Sequence, residues 1–268
     1  MLRSSRSCKL LVAATALVAL GACSDSEEAK RVTLPVTTDG AGLQVVTNDL
    51  GYAVEVTSAF IVVDDLRFTR AGEAHVSLLR RLSDAVVPAA HAHPGHYQGG
   101  ELTGELRGHF LLRFTPGETE SVGTATLLAG QYHSVDMTLS HATEDDVEAA
   151  DPLLGHTALL LGTASKDGVD IDLRVAVDSP DARDLVGIPF GEQVDGSERR
   201  LVLRLMTRDP VELDTLFDDI DFGSLDVDGD GEVVIDPAAT DTNTLAAYHQ
   251  VRRTLQTHDH FVVVQGSP

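Results

Sequence analysis

The chain has 268 residues, a formal net charge of −22 and only two cysteines. Such an acidic surface repels nucleic acid and anionic lipid headgroups and attracts cations, so we exclude nucleic acid as a partner. The length suits one large β domain or two small ones.

The first 22 residues have the pattern of an export signal. Arg3, Arg6 and Lys9 give a positively charged start, and the apolar run LLVAATALVAL follows from Leu10 to Leu20. A membrane-spanning helix needs about 20 apolar residues, roughly twice the length of this run. The run therefore predicts the apolar core of a signal peptide rather than a membrane anchor.

The apolar run ends in the motif LGAC, which consists of Leu20, Gly21, Ala22 and Cys23. The motif resembles the lipobox of bacterial lipoproteins, in which the cysteine receives a diacylglycerol and becomes the mature N-terminus. The resemblance implies an exported protein held on the membrane through lipidated Cys23. Ser24 stands where an inner-membrane retention signal would carry Asp, which implies the outer membrane. Residues 23–34 would then form a charged tether between the lipid and the first domain. The alternative to a lipoprotein is an ordinary cleaved signal peptide with a chance cysteine.

Residues 35–208 alternate between polar and apolar side chains, most clearly over 52–68, 101–114 and 168–177. This alternation, broken by Gly, Pro and Asp, predicts half-buried antiparallel strands, and KDG at 166–168 predicts a hairpin turn. Many short strands without intervening helices favour a sandwich or barrel. The predicted fold is mainly β: an antiparallel β-sandwich or barrel-like domain followed by a small helical C-terminal segment.

Histidines cluster in two places. The stretch HAHPGHYQGG contains His91, His93 and His96, and the stretch HDH contains His258 and His260. In an extended chain, residues two apart point to the same side, and neutral imidazole is a good ligand for zinc and copper. We therefore predict a zinc or copper site at His91, His93 and His96, with His258 and His260 as additional ligands. The alternative is a solvated loop.

Residues 209–268 have a different character. Asp209 as an N-cap and Pro210 at the first helical position predict a helix over 209–222. A repeat every three to four residues, formed by Leu245, Tyr248 or His249, Arg252 and Leu255, predicts a second helix over 241–258. The final stretch HDHFVVVQG predicts a last strand or a tail.

The stretch DVDGDGEVVIDP, residues 226–237, resembles the calcium loop of EF-hand and dockerin proteins. Its matching positions are Asp226, Asp228, Asp230, Gly231 and Glu232. Calcium takes six to eight oxygen ligands, and the resemblance implies that Glu232 would contribute its backbone carbonyl. Position twelve is Pro237 instead of an acid, with Asp236 one place early, so Asp236 or another carboxylate must complete the site. The alternative is a solvated acidic turn.

The chain contains no G-x-S-x-G, H-E-x-x-H or phosphate-loop motif, so we expect a non-catalytic protein. The enzymatic alternative is a metal-dependent hydrolase built on His91 and His93. The leading expectation is a lipid-anchored cell-envelope protein that binds metal ions. Calcium would bind at residues 226–237, and zinc or copper at the clustered histidines. The alternatives are a calcium-stabilised adhesion or carbohydrate-binding β-sandwich and a purely structural envelope lipoprotein.

Overall fold

The computed structural model describes residues 30–70, 101–180, 183–196 and 198–267. The signal segment, Cys23 and the histidines at 91, 93 and 96 lie outside the described residues. Within these ranges the helices are α1 (Phe222–Leu225) and α2 (Thr242–Leu255). The strands are β1 (Arg31–Asp39), β2 (Val46–Thr47), β3 (Ala53–Arg70), β4 (Glu101–Phe114), β5 (Thr119–Leu128), β6 (Gly130–Leu139), β7 (Ala158–Lys166), β8 (Val169–Val177), β9 (Arg183–Pro189), β10 (Gln193–Val194), β11 (Arg200–Leu205), β12 (Glu232–Ile235) and β13 (Phe261–Gly266).

The strands form one large, mixed and mostly antiparallel open sheet, which confirms the mainly β prediction. Its main path runs in the order β12, β8, β7, β3, β4, β5, β1, β11, β13. Strand β6 pairs with β3, β9 and β10, while β1–β11 and β8–β12 are parallel pairs. Strand β13 also contacts β9, so the sheet curves back towards itself.

Strand β3 has 18 residues and lies at the centre of the sheet. One edge of β3 pairs with β4 from Ala59 to Arg70. The other edge pairs with β7 from Ala53 to Ile61 and then with β6 from Val63 to Arg70. Because this edge changes partner at residue 62, the single strand β3 joins the part of the sheet that contains β7 and β8 to the part that contains β6 and β9.

Two register shifts change which residues of β3 face the main core. Val54 and Val56 face it first, and a shift between Val56 and Ser58 moves the pattern to odd-numbered residues. A second shift between Asp64 and Leu66 returns it to even-numbered residues. Because side chains alternate with period two, each extra residue reverses the faces. The resulting core-facing residues of β3 are Val54, Val56, Ala59, Ile61, Val63, Leu66 and Phe68.

Asp65 is the extra residue of the second bulge and has a φ of 45°. Its Oδ1 accepts a hydrogen bond at 2.9 Å from the backbone N–H of Gly108, which lies on the neighbouring strand β4. Gly108 itself has a φ of 139°, in a region that favours glycine. The bulge is therefore supported from both strands, and Asp tolerates the left-handed conformation better than most residues do.

The main core of this sheet contains a cluster of aromatic side chains. The ring of Phe190 packs 6.2 Å from Phe68 and 5.5 Å from Tyr132, measured between ring centroids. Tyr132 is fully buried, and its hydroxyl donates to the carbonyl of Leu128 at 2.8 Å and accepts from Thr103. The buried phenol is thus hydrogen-bonded, as burial of a polar group requires.

The first predicted C-terminal helix is wrong. Residues 209–221 form turns, and only the four residues of α1 are helical in this region. The Asp209 side chain accepts from the N–H groups of Val211 and Glu212, and Leu213 has a φ of 68°. Side chains of Asp and Thr that bond the nearby backbone compete with helix formation, which accounts for the difference.

Other sequence predictions are confirmed. Helix α2 begins after Asp241, whose side chain accepts from the N–H of Thr244 at 2.8 Å as an N-cap. Asp167 and Gly168 both have positive φ and form the predicted turn between β7 and β8.

The predicted end of the tether at residue 34 is wrong. Strand β1 begins at Arg31, because Val32 and Leu34 alternate with exposed residues and pack in the main core. No helix in the described part of the chain is long and apolar enough to cross a membrane.

We expect Asp65→Val to destabilise the protein by roughly 2–3 kcal/mol. The left-handed conformation costs a β-branched residue about 1–2 kcal/mol, and the lost acceptor for Gly108 adds about 1 kcal/mol. Asp65→Asn keeps an acceptor and tolerates the conformation, so its cost is below about 1 kcal/mol. Urea unfolding of both variants measures the difference, and equal free energies of unfolding would contradict the role given to the bulge.

Candidate metal centre

The acidic loop, residues 226–231, connects α1 to β12. At its start, the N–H of Asp226 donates to the carbonyl of Phe222 at 3.1 Å. At its end, the carbonyl of Gly231 accepts from the N–H of Asp172 on β8 at 2.8 Å. Strand β12 then continues as the parallel neighbour of β8. The loop is therefore fixed to the sheet at one end and to α1 at the other.

Three carboxylates of the loop converge. One oxygen each of Asp226, Asp228 and Asp230 lies within 4.8 Å of the other two. Oδ2 of Asp226 accepts from the N–H of Gly231 at 3.3 Å, and Oδ1 of Asp230 accepts from the N–H of Glu232 at 2.9 Å. Oδ1 of Asp226 is buried and has no hydrogen-bond partner among the described residues. The cluster thus contains a buried acceptor without a donor.

Two glycines shape the loop. Gly229 has a φ of 73° and Gly231 a φ of 81°, both in the left-handed region. A glycine adopts this conformation without the steric cost that a Cβ atom brings. The chain therefore turns sharply at these glycines, and the turn brings the alternating aspartates together.

Of the other predicted calcium ligands, Asp236 is outside the group of three carboxylates, whereas the backbone carbonyl predicted for Glu232 is not among the side-chain atoms that define this group. Glu232 is the first residue of β12, and Asp236 follows the last. An extended strand advances about 3.3 Å per residue, so β12 carries Asp236 away from the loop. Oδ1 of Asp236 instead accepts from the N–H of Ala238 at 2.9 Å.

Asn48 anchors the segment that precedes α1. It is 4% exposed, and its Nδ2 donates to the carbonyls of Phe217 at 3.0 Å and Ile220 at 2.9 Å. Its Oδ1 accepts from the N–H groups of Leu50 and Tyr52. One amide side chain therefore satisfies four backbone groups and ties residues 217–220 to the start of β3.

Tyr52 fixes α1 itself. Its hydroxyl donates to Oδ1 of Asp221 at 2.6 Å and accepts from the N–H of Gly223 at 2.9 Å. Its ring packs edge-on against Phe222 at 5.4 Å, and the Lys166 ammonium lies 4.6 Å from the ring centre. Burial and the hydrogen bond to Asp221 raise the pKa of Tyr52, so the hydroxyl stays protonated and remains a donor.

The two described histidines of the predicted transition-metal site occupy different surroundings. His260 is 1% exposed and its Nδ1 lies 2.9 Å from the carbonyl of Met206, where the protonated nitrogen donates. Nε2 of His258 lies 3.2 Å from Oδ1 of Asp259. Neither histidine belongs to a described group of three close metal-ligating atoms.

A second acidic group was not predicted from the sequence. Asp209, Glu212 and Asp214 also place one oxygen each within 4.8 Å of one another. Asp209 is 3% exposed, and its Oδ1 accepts from Val211 at 2.6 Å and Glu212 at 3.2 Å. This buried oxygen thus has donors, unlike Oδ1 of Asp226. The spacing of the three acids is a weak signal in a chain with 42 acidic residues.

Both acidic groups could bind a metal ion, and their ligand atoms are all carboxylate oxygens. Oxygen-only ligation suits hard cations such as Ca²⁺ and Mg²⁺ rather than metals that prefer nitrogen or sulfur. Comparison of the chain with family models, curated proteins and solved structures gave no match.

We expect Asn48→Asp to lower the free energy of unfolding by about 2–4 kcal/mol, because two buried carbonyls lose their donors and face a carboxylate. Asn243→Asp, in the exposed first turn of α2, is the matched control and leaves stability nearly unchanged. Denaturant unfolding compares the two variants. Equal stabilities would show that the contacts of Asn48 do not hold the α1 segment in place.

Proposed function

We propose that this chain is a lipid-anchored cell-envelope protein whose acidic loop binds calcium as a structural ion. The main support for calcium is that Oδ1 of Asp226 is buried and unpartnered within a group of three carboxylates. A buried acceptor left without a donor costs about 1–3 kcal/mol, and direct coordination of a cation removes that cost.

Negative charge around the loop also supports cation binding. Glu232 on β12 is in register with Asp172 on the parallel strand β8, and both are exposed. Asp170, also exposed, lies two residues earlier on the same face of β8. Like charges on adjacent strands destabilise a sheet, and a divalent ion beside them offsets the repulsion.

The position of the loop favours a structural role for the ion. Strand β12 has four residues and forms one end of the main strand path. An ion held by Asp226, Asp228 and Asp230 would fix the distance between α1 and this short edge strand. Because residue 237 is Pro instead of an acid, water or neighbouring carboxylates would supply the remaining calcium ligands. Such a site resembles the weaker calcium sites of extracellular proteins.

The envelope location rests on the start of the sequence. The basic residues, the short apolar run and the LGAC motif together support lipidation of Cys23, and Ser24 supports the outer membrane. An exported protein meets calcium at concentrations that fill weak sites, so the two parts of the proposal are consistent. We propose a non-catalytic role, supported by the lack of a recognised catalytic motif in the sequence.

Carbohydrate binding is less well supported. Sugar-binding surfaces use exposed aromatic rings, and the chain has no tryptophan and four tyrosines. The three described tyrosines, Tyr52, Tyr132 and Tyr248, are all buried. The zinc or copper site at His91, His93 and His96 stays a prediction from the sequence.

We expect calcium to raise the melting temperature of protein stripped with a chelator. A ligand at about 100 times its Kd stabilises the folded state by about 2.7 kcal/mol, or roughly 5–10 °C for a chain of this size. Asp226→Asn and Asp228→Asn remove a ligand charge, so each reduces or abolishes the shift. Differential scanning calorimetry with and without calcium measures it.

Asp145→Asn is the matched control for these variants, because Asp145 is exposed and lies in a different loop. It should retain the full calcium response. A melting temperature indifferent to calcium, or a full response in the double variant of Asp226 and Asp228, would contradict the calcium assignment.

We expect Cys23→Ala to move the protein from the membrane fraction to the soluble fraction and to abolish labelling by a radioactive fatty acid. Acyl chains on one cysteine supply the membrane affinity, and their loss removes it. Cys8→Ala changes the other cysteine, which precedes the motif, and should leave both readouts unchanged. Labelling that persists in Cys23→Ala would rule out lipidation at this residue.

A further inference from the structure

The cover segment, residues 140–157, connects β6 to β7 and packs on the outer face of the sheet. A second, smaller core lies beneath it, formed by Val62, Ala142, Leu153, Leu159 and Ala176. Phe60, Leu111, Val147 and Leu161 pack around this core and are partly buried. Because Val62 faces outward from β3, the cover segment shields an apolar patch of the sheet from water.

The two ends of the cover segment are tied by backbone hydrogen bonds, and its middle is not part of a strand ladder. Val62 donates to the carbonyl of Thr157 at 2.8 Å, and Ala142 donates to the carbonyl of His156 at 2.9 Å. Within residues 143–154, the backbone hydrogen bonds that the structure describes all close local turns. Side-chain contacts therefore hold the middle of the segment against the sheet.

His109 of β4 makes the central polar contact. Its Nδ1 lies 2.6 Å from Oδ1 of Asp64 on β3, and its Nε2 lies 2.9 Å from Oδ2 of Asp146 in the cover segment. Neutral imidazole carries one N–H, so hydrogen bonds from both nitrogens to ionised carboxylates require the imidazolium form. The same oxygen of Asp146 accepts from the N–H and hydroxyl of Thr143 at 2.8 Å each, which orders the adjacent turn.

The surrounding charges favour the imidazolium. Partial burial lowers the pKa of His109, but the hydrogen bonds and charges of Asp64 and Asp146 outweigh it, and the pKa is raised. Partial burial raises the pKa of Asp146, but the hydrogen bonds from Thr143 and His109 outweigh it, and the pKa is lowered. Two other charged contacts lie nearby. Asp65 accepts a hydrogen bond from the N–H of Gly108, and Arg107 forms an ion pair with Glu105 at 2.9 Å.

These directions define a pH range for the contact. A raised histidine pKa gives stabilisation that is complete below about pH 6.5 and is lost as the pH rises through the raised pKa. A lowered aspartate pKa gives stabilisation that is complete above about pH 4 and is lost only under stronger acid. The contact is therefore strongest between about pH 4 and 6.5 and weakens on the alkaline side.

We propose that residues 140–157 form a pH-sensitive cover, latched to the sheet by the Asp64–His109–Asp146 contact in mild acid and loosened when His109 loses its proton. Loosening uncovers the apolar outer face around Val62 and Leu159. The tied ends keep the segment attached, so the change is an opening of its middle rather than unfolding of the sheet. The device is independent of the acidic loop, and its test runs without calcium.

Hydrogen exchange measured by mass spectrometry at about pH 5.5 and 8.5, corrected for the intrinsic exchange rate, tests the cover. Wild-type protection in residues 143–154 should fall at the higher pH, by roughly tenfold for each unit by which latching raises the pKa of His109. His109→Gln and Asp146→Asn should show low protection at both pH values. His249→Gln, exposed on α2, is the control and should behave as wild type.

His141 and His156 also lie in the cover segment, and Nδ1 of His156 is 2.6 Å from Asp178, so the His109 variant assigns the titrating residue. Equal corrected protection at both pH values in wild type, or pH dependence that survives His109→Gln, would overturn the proposal. An NMR titration of wild-type His109 tests it without any variant. A pKa above about 6.5 that coincides with the loss of protection is expected, and one at or below this value would overturn it.

Discussion

The two bulges of β3 decide which side chains of the central strand enter the main core and which face outward. Without the shift at Asp65, Leu66 and Phe68 would face away from the core that Ala59, Ile61 and Val63 face. The same strand pairs with β4 on one edge and with β7 and β6 on the other. Its geometry therefore fixes the main core on one side and the patch under the cover segment on the other.

The sequence was sufficient for the class of the fold but not for the faces of β3. Alternation of polar and apolar residues predicted the strands, and the spacing of Leu245, Tyr248 and Leu255 predicted helix α2, whereas its Asp241 cap was recognised only in the structure. The stretch from Tyr52 to Phe68 contains no glycine or proline that marks a bulge. The helix expected over 209–222 failed because Asp209 and Thr215 bond the local backbone instead.

The acidic loop was predictable because its carboxylates are close in sequence. Alternating aspartates and Gly231 were enough to place three carboxylates together, but not to show that Asp236 lies apart or that Oδ1 of Asp226 is buried. The His109 contact has no local pattern. Asp64, His109 and Asp146 come from three distant parts of the chain, and only the pairing of β3 with β4 and the path of the cover segment bring them together.

The sheet links these regions, because Asn48 and Tyr52 connect the start of β3 to α1 and the segment before the acidic loop. We propose that the acidic loop binds calcium through the unpartnered oxygen of Asp226. A crystal structure of the calcium-loaded protein tests this most directly. We expect an ion about 2.3–2.6 Å from carboxylate oxygens of Asp226, Asp228 and Asp230. Calcium found only at Asp209, Glu212 and Asp214, or a loop that holds no ion in millimolar calcium, would contradict it.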